Sequence, residues 1–438
     1  MMKSERIKYE YAVIFAVIFA MLAFVSVEST SAATIYVPDD YATIQEAVDA
    51  ANAGDTIIVR DGTYRENIDV KKRLTLKSEK GSENCIVQAA GPDDHVFNVS
   101  ADHVEISGFS VEGANDYKKA GIGLHAGYCN ISNNTCSSNN WNGIYLQNSN
   151  DNCISNNTCV NSDFGIYIED SNHNNISNNN CGSNNWEGIH LRNSSDNCIS
   201  NNNCTNNDDE DISLYWFSND NNISNNNCTG GIAIHDSKNN KFKNNVMFEN
   251  GISILGHSLC DYMHEIDENN TVNGKAIYYR KNIEGGRIPD GAGQVILVNC
   301  INITVENQNL NYASVGIQIA FSSYSTIKNN TCSSNKWSGI NILNSDDNSI
   351  ACNTCSSNKW EGIYLGKSNN NNISNNTCSN NGRGFSTKYS NTTNGIEQYG
   401  PRRIPSGKGI SIEYSYNNNI SNNNCSNNDA GIYLWDSY

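Results

Sequence analysis

The stretch Ile131-Ser132-Asn133-Asn134-Thr135-Cys136 decides the fold of this chain, because it recurs. Near-copies occupy 154–159, 176–181, 199–204 and 223–228, then, after a gap, 327–332, 350–355, 373–378 and 420–425. Most successive copies lie about 22 to 24 residues apart, the period of a solenoid coil. A second marker keeps phase with the first: Gly143-Ile144-Tyr145-Leu146, Gly165-Ile166-Tyr167-Ile168, Gly188-Ile189-His190-Leu191, Gly339-Ile340-Asn341-Ile342, Gly362-Ile363-Tyr364-Leu365 and Gly431-Ile432-Tyr433-Leu434. Both alternate apolar with polar residues between Asn, Ser and Gly, the pattern of short strands flanked by turns. One coil cannot bury its apolar side alone, but coils stacked in register about 4.8 Å apart share a continuous core. Like residues then lie above like, and Asn ladders hydrogen-bond along the stack. An α-solenoid is disfavoured, because Asn and Ser are poor interior helix formers. The expected class is all-β, a parallel β-helix solenoid.

The flanking segments complete that plan. Residues 1–33 read as a signal peptide: Lys3, Arg6 and Lys8, an apolar run, then Ser31-Ala32-Ala33 with cleavage near Ala32 or Ala33. An uncleaved N-terminal anchor is the alternative; no later segment reads as a membrane span. Residues 34–115 read as a cap and irregular first coils. Thr43-Ile44-Gln45-Glu46 has capping-box form, and the short helix it opens would cover the end of the solenoid. Regular coils fill 116–256, an insertion 257–293, and further coils 294–438, with a second break near 382–406. No closing cap follows the final coil in this sequence, which reads as a fragment or as an end that docks on a partner.

The formal charge is −17 and basic clusters are few, which argues against nucleic-acid binding. Sequons such as Asn98-Val99-Ser100, Asn193-Ser194-Ser195, Asn302-Ile303-Thr304 and Asn391-Thr392-Thr393 fit glycosylation of an exported protein, although an Asn/Ser/Thr repeat also creates them by chance. Sixteen cysteines would ordinarily suggest disulfides. Here Cys136, Cys159, Cys181, Cys204 and Cys228, then Cys332, Cys355, Cys378 and Cys425, hold one repeat slot that elsewhere takes Val111 and Met247. A slot that accepts Val, Met or Cys points inward, so buried thiols are expected, with vertical disulfides or metal ligation as alternatives.

The segments Ile35-Tyr36-Val37-Pro38, Thr43-Ile44-Gln45-Glu46-Ala47-Val48, Gly54-Asp55-Thr56-Ile57 and Gly62-Thr63-Tyr64 resemble the entry to pectin-lyase-like right-handed β-helices. The Asn-rich coils, and Asn270-Thr271-Val272-Asn273-Gly274-Lys275 followed by Tyr278-Tyr279, resemble the NosD-type family. The resemblance implies a right-handed parallel β-helix, secreted or at the cell surface. It implies either carbohydrate binding, sugar-hydrolase-like activity or copper handling.

The residues leave those functions open. A hydrolase needs an acid and a base flanking the bond. Asp208-Asp209 with Glu210-Asp211, and Asp346-Asp347, are the catalytic candidates, but the polygalacturonase constellation is absent and solvated turn acids are the competing reading. Asp163, Asp208 and Asp211 are candidates for calcium. Cys260, Met263 and His264 are the best local candidates for copper, with Cys260 and His264 as its ligands; neither metal is required by the pattern, and no cofactor is expected. The stronger surface signal is aromatic. Trp141, Trp186, Trp337 and Trp360 precede the coil glycine by two residues, and Tyr145, Tyr167, His190 and Tyr364 occupy the outward slot between inward Ile and Leu. Such a stripe can stack on sugar rings or simply stabilise the sheet. The reading is a non-catalytic, secreted or cell-surface β-helix that contacts envelope glycans or surface proteins, with a polysaccharide lyase, hydrolase or epimerase, and a copper-handling accessory protein, as alternatives.

Overall fold

The computed structural model describes residues 32–382 and 407–437. The signal-peptide reading lies outside them, as do nearly all of the break near 382–406 and Tyr438. Within them the chain is a right-handed parallel β-helix with one α-helix.

That helix, Ile44–Ala50, starts at Thr43, whose hydroxyl accepts from Glu46 N–H while the Glu46 carboxylate reaches back to Thr43 N–H. Glu66 takes the next two orphan amides, Ile44 N at 3.0 Å and Gln45 N at 2.9 Å. Its buried face, Ile44, Ala47 and Val48, covers the first coils.

Each repeat marker becomes one or two strands. Ile131 lies over Ile106 and under Ile154, and Cys136 lies between Val111 and Cys159. Met247 continues the same column above Cys228. In the other marker Ile144, Ile166 and Ile189 stack, with Tyr145, Tyr167 and His190 paired on the opposite face.

The double Asn of the repeat has two physical jobs. The first, at Asn133, Asn156, Asn178, Asn201 and Asn225, turns the corner with φ between 56° and 58° and stays exposed; Asn tolerates this left-handed conformation better than other side chains. The second, at Asn134, Asn157, Asn179, Asn202 and Asn226, is buried. Asn179 Oδ1 accepts from Asn157 N at 2.9 Å and from Asn157 Nδ2 at 3.1 Å, while Asn179 Nδ2 donates to Ile154 O at 2.9 Å. Each rung thus satisfies backbone in one coil and amide in the next. A second ladder runs Asn152, Asn174, Asn197, Asn221, Asn240, and a serine ladder runs Ser149, Ser171, Ser194, Ser218, Ser237. Cys352 occupies the turn slot, exposed with φ 56°, whereas Cys355 points into the core. The C-x-x-C spacing therefore places its two thiols on opposite sides of the wall.

The solenoid bends once. Thr271–Val272 pairs antiparallel with Lys275–Lys281, the only antiparallel pairing among the described strands; the earlier strands of that sheet stack parallel behind Thr271–Val272 and the later ones parallel on Lys275–Lys281. The outer face of this second segment then covers the end of the first. Ile277, Tyr279, Ile296, Val298 and Ala320 belong to the first segment's core, while Val295 and Leu297 belong to the second's. Polar side chains stand in for the missing next strand. Gln294 accepts from Ile252 N at 2.9 Å and donates to Ile252 O at 2.6 Å, and Gln318 does the same for Ile254. The edge of the sheet is sealed by two amides.

All sixteen cysteines are free, with Cys260 and Cys352 exposed and the column buried except for the half-buried Cys425 of the last coil. Thiol labelling of the native protein should modify Cys260 and Cys352 rapidly and the buried members of the column only after denaturation. Asn179→Ala removes one rung and leaves Asn157 N and Asn157 Nδ2 without their Asn179 acceptor; urea unfolding should report a loss of about 2 kcal/mol.

Candidate functional site

The bend brings together groups that lie far apart in the chain. Two residues before the marker Ile of the Gly-Ile-x-Leu sheet stand Glu187 in one coil and Glu210 in the next, since Ile189 pairs with Ile212. Their carboxylates and that of Asp209 have oxygens all within 4.8 Å of one another. Lys336, from the second segment, reaches across the elbow and stands 3.3 Å from Asp209 Oδ1 and 3.3 Å from Glu210 Oε1. His190 Nδ1 lies 3.2 Å from Glu187 Oε2 and 2.9 Å from Ser213 Oγ. Beside it Tyr215 stacks on His190 and, at 4.3 Å between ring centres, on His235.

Burial sets the protonation of this cluster. It drives the Glu210 carboxyl up to about 8; Lys336 opposes the shift and Asp209 adds to it. Burial also raises Asp211 to about 6 against hydrogen bonds from Asn207 and the Gly230 and Thr229 amides. The site therefore sets a buried Glu210, its carboxyl pushed up by burial, beside an exposed Asp209, with the Lys336 ammonium against both.

One coil further toward the N-terminus, Glu169 is gripped by Lys118 at 2.6 Å, by Arg192 at 3.3 Å and by the Tyr145 hydroxyl. Burial pushes its carboxyl up, but these partners outweigh it and hold Glu169 below the usual range. Along the turn, aromatic rings form a buttressed strip. Tyr117 meets Trp141 edge-on at 4.7 Å, Trp141 meets Trp186 at 5.5 Å, and Phe164 supports Trp186 at 5.1 Å. Tyr117 is 49% exposed and Trp186 is 46% exposed.

The sequence-derived candidates divide accordingly. Trp186, His190 and Asp209 meet at the elbow, and Trp337 lies beside Lys336. Trp141 is half-buried, and Tyr145 and Tyr167 are buried beneath Phe164 and the Glu169 network. Trp337 and Trp360 pack edge-on at 4.3 Å in the second segment, where Tyr364 donates to Glu413. Asp208 is exposed outside the carboxylate cluster, and Asp211 is committed to Asn207 and the Gly230 amide. Asp163, half-exposed to the strip, accepts from Asn185. Glu187 and Lys336 were not singled out from sequence. Glu187 was legible in principle, because stacking the coils puts it in the slot below Glu210; Lys336 was not, because it arrives from 126 residues away.

Cys260 is exposed, and His264 is buried with both ring nitrogens engaged: Nδ1 accepts from Asn240 N at 3.3 Å and Nε2 lies 3.0 Å from Asp261 O. His264 is the last rung of the second ladder, standing where another coil would have supplied Asn, and burial takes its pKa down to about 4.

A parallel β-helix with a polar outer face is the class this fold defines. The chain matches the family described as periplasmic copper-binding protein (NosD) over residues 48–228 and 279–399, and it belongs to that family. A cell surface glycoprotein of Methanothermus fervidus is 32% identical over 160 residues, which take in 28% of this chain and 26% of that protein. The chain thus spans about a quarter of that relative's length. Similar solved structures include the Dettilon tailspike protein (TM-score 0.39, 14% identity, covering 92% of this chain and 68% of that one). Pectate lyase Pel9A gives 0.41 at 13% identity over 56% and 82%, and a GH87 alpha-1,3-glucanase catalytic domain gives 0.43 at 12% over 91% and 67%.

The family's description raises copper, and the residues do not fit it. The soft donors near the bend are the exposed Cys260 and His257, the half-buried Met263 and a His264 whose nitrogens are taken, with no three His, Cys or carboxylate ligand atoms converging there among the described residues, and the thiol column from Cys136 to Cys378 sits at zero exposure inside the core. Among the described residues the one convergent donor group is Glu187, Asp209 and Glu210, all hard oxygens, with Lys336 placed against two of them. No helix among the described residues is long and apolar enough to cross a membrane.

The elevated Glu210 and Asp211 values carry a pH signature. A carboxyl whose folded pKa lies above its unfolded value binds a proton on folding, so stability falls as pH rises between the two values. For Glu210 that window runs from 4.5 to about 8, and for Asp211 from 3.8 to about 6. The buried histidines, His95 and His264 foremost, oppose this trend below their ordinary pKa of 6.5, so thermal unfolding should show stability declining between about pH 6.5 and pH 8, and Glu210→Gln should flatten that decline.

Proposed function

We propose that the protein is a cell-surface β-helix that binds a glycan along the strip from Tyr117 through Trp141 and Trp186 to the elbow. The observation that carries this reading is the exposed Trp186 ring, held by Trp141 and Phe164 and adjoining the Glu187, Asp209 and Glu210 carboxylates. A rigid aromatic face takes up the apolar side of a pyranose at little entropic cost, and the carboxylates and His190 accept from or donate to its hydroxyls. The kinship with a cell surface glycoprotein supports the location.

A second reading has its own support. Glu210 is protonated near neutrality beside an exposed Asp209, an acid next to a base, as bond cleavage between sugars requires. Their oxygens lie within 4.8 Å, too close to seat a water between them, so Glu210 would protonate the leaving oxygen while Asp209 attacks the anomeric carbon, and water deprotonated by Glu210 would then hydrolyse the glycosyl ester.

A glycan array separates the two. Binding without release of reducing ends, weakened roughly tenfold or more by Trp186→Ala, supports the first reading. Reducing ends produced by the wild type and lost in both Glu210→Gln and Asp209→Asn would replace it with the second. An array without any bound glycan refutes both.

A further inference from the structure

On the opposite side of the bend, the outer walls of the two segments enclose a cleft of about 560 Å³. One wall is the end of the first segment's eleven-stranded sheet: Lys241–Lys243 and, above it, Glu265–Ile266, the last strand. The other is Tyr279 to Ile283 of the second segment. Glu265 N and Asp267 N donate downward to Asn240 O and Phe242 O, at 2.9 and 3.1 Å. In a parallel ladder the residue between them must therefore direct both its amide and its carbonyl upward, toward a coil this sheet does not have. Elsewhere at the bend Gln294 and Gln318 supply that partner. Here the substitutes serve only His264, whose amide donates to the Tyr279 hydroxyl at 3.1 Å and whose carbonyl accepts from the Lys281 ammonium at 2.7 Å, and the Ile266 amide and carbonyl are left toward the cleft.

We propose that this cleft binds an extended acidic peptide, added as the next β-strand on Glu265–Ile266. The open edge supplies main-chain hydrogen bonds, the basis of recognition by strand addition. Charge selects the partner. Within a chain of formal charge −17 the cleft gathers Lys241, Lys243, Arg280 and Lys281 against Glu265 and Asp267. Lys241 and Arg280 are paired, with Glu265 at 3.4 Å and Glu268 at 2.7 Å. Lys243 is exposed on the strand below, and Lys281 spends one donor on a carbonyl and keeps its charge uncompensated. The exposed Ile283 gives an apolar contact for one side chain of the strand. A sugar ligand is disfavoured, because the two aromatic rings lining this cleft, Phe242 and Tyr279, are buried, and the Tyr279 hydroxyl is bound to Tyr262 O at 2.6 Å.

The test uses the purified protein and a fluorescent ten-residue peptide of alternating Thr and Glu, read by anisotropy. Saturable binding is expected. Methylating alternate backbone amides of the peptide should weaken it roughly tenfold, exchanging Glu for Lys should abolish it, and Lys243→Glu in the protein should weaken it roughly fivefold. Lys243 is a surface residue, so its variant folds, which circular dichroism verifies. Equal affinity for the methylated peptide would overturn the proposal. So would an absence of binding, displacement of the peptide by a uronate oligosaccharide, or a dimer of the protein that Lys243→Glu dissociates.

Discussion

A buried amide side chain must find partners on both its donor and its acceptor side, and that demand sets the register of every coil in this molecule. A slip of one residue would move Asn157 away from Asn179 and Ile131, stranding three polar groups in a dry wall, each at a cost of about 1 to 3 kcal/mol. The apolar columns alone would tolerate more. Ile over Ile gains area but little direction, and the Cys slot accepts Val111 and Met247 without distress. Hydrophobic burial closes the tube, and the Asn and Ser ladders decide which residue sits above which.

The same demand explains the bend. A stack of ladders has to end, and an ending leaves amides and carbonyls facing outward. The first segment ends in three ways: the Asn240 ladder stops on His264, the Gly-Ile-x-Leu sheet on Gln294 and Gln318, and the Glu265–Ile266 strand on a lysine and a cleft. Turning the second segment across the first hides most of the open end and, at the same stroke, carries Lys336 to Glu210. The raised Glu210 carboxyl thus lies where the fold resolves its own edge.

Much of this was legible in the sequence, for a clear reason. Strand phase, the inward Cys slot and the capping box at Thr43 each depend on residues within one coil or on a strict repeat, and a repeat displays its own alignment. The outer face is different. Tyr145 and Tyr167 stand in the outward slot as the alternation requires, yet Phe164, Trp141 and the Lys118–Glu169 pair close over them; that cover comes from irregular neighbours, which period does not reveal. His264 looked like a metal ligand beside Cys260 because its role as a terminal rung depends on the coil that fails to follow. The elbow contacts between Glu210 and Lys336 link segments that the sequence separates by a whole irregular insertion.

The account makes the interlocked Asn side chains the determinant of the architecture. The direct measurement is hydrogen exchange of their Nδ2 protons by NMR with selectively labelled asparagine. The side-chain amides of Asn134, Asn157, Asn179, Asn202, Asn226 and Asn245 should persist in D2O for hours while those of the exposed turn residues Asn156 and Asn178 vanish at once. Exchange of both sets at the same fast rate would show that the ladders do not exist as solid rungs, and the register argument would fall with them.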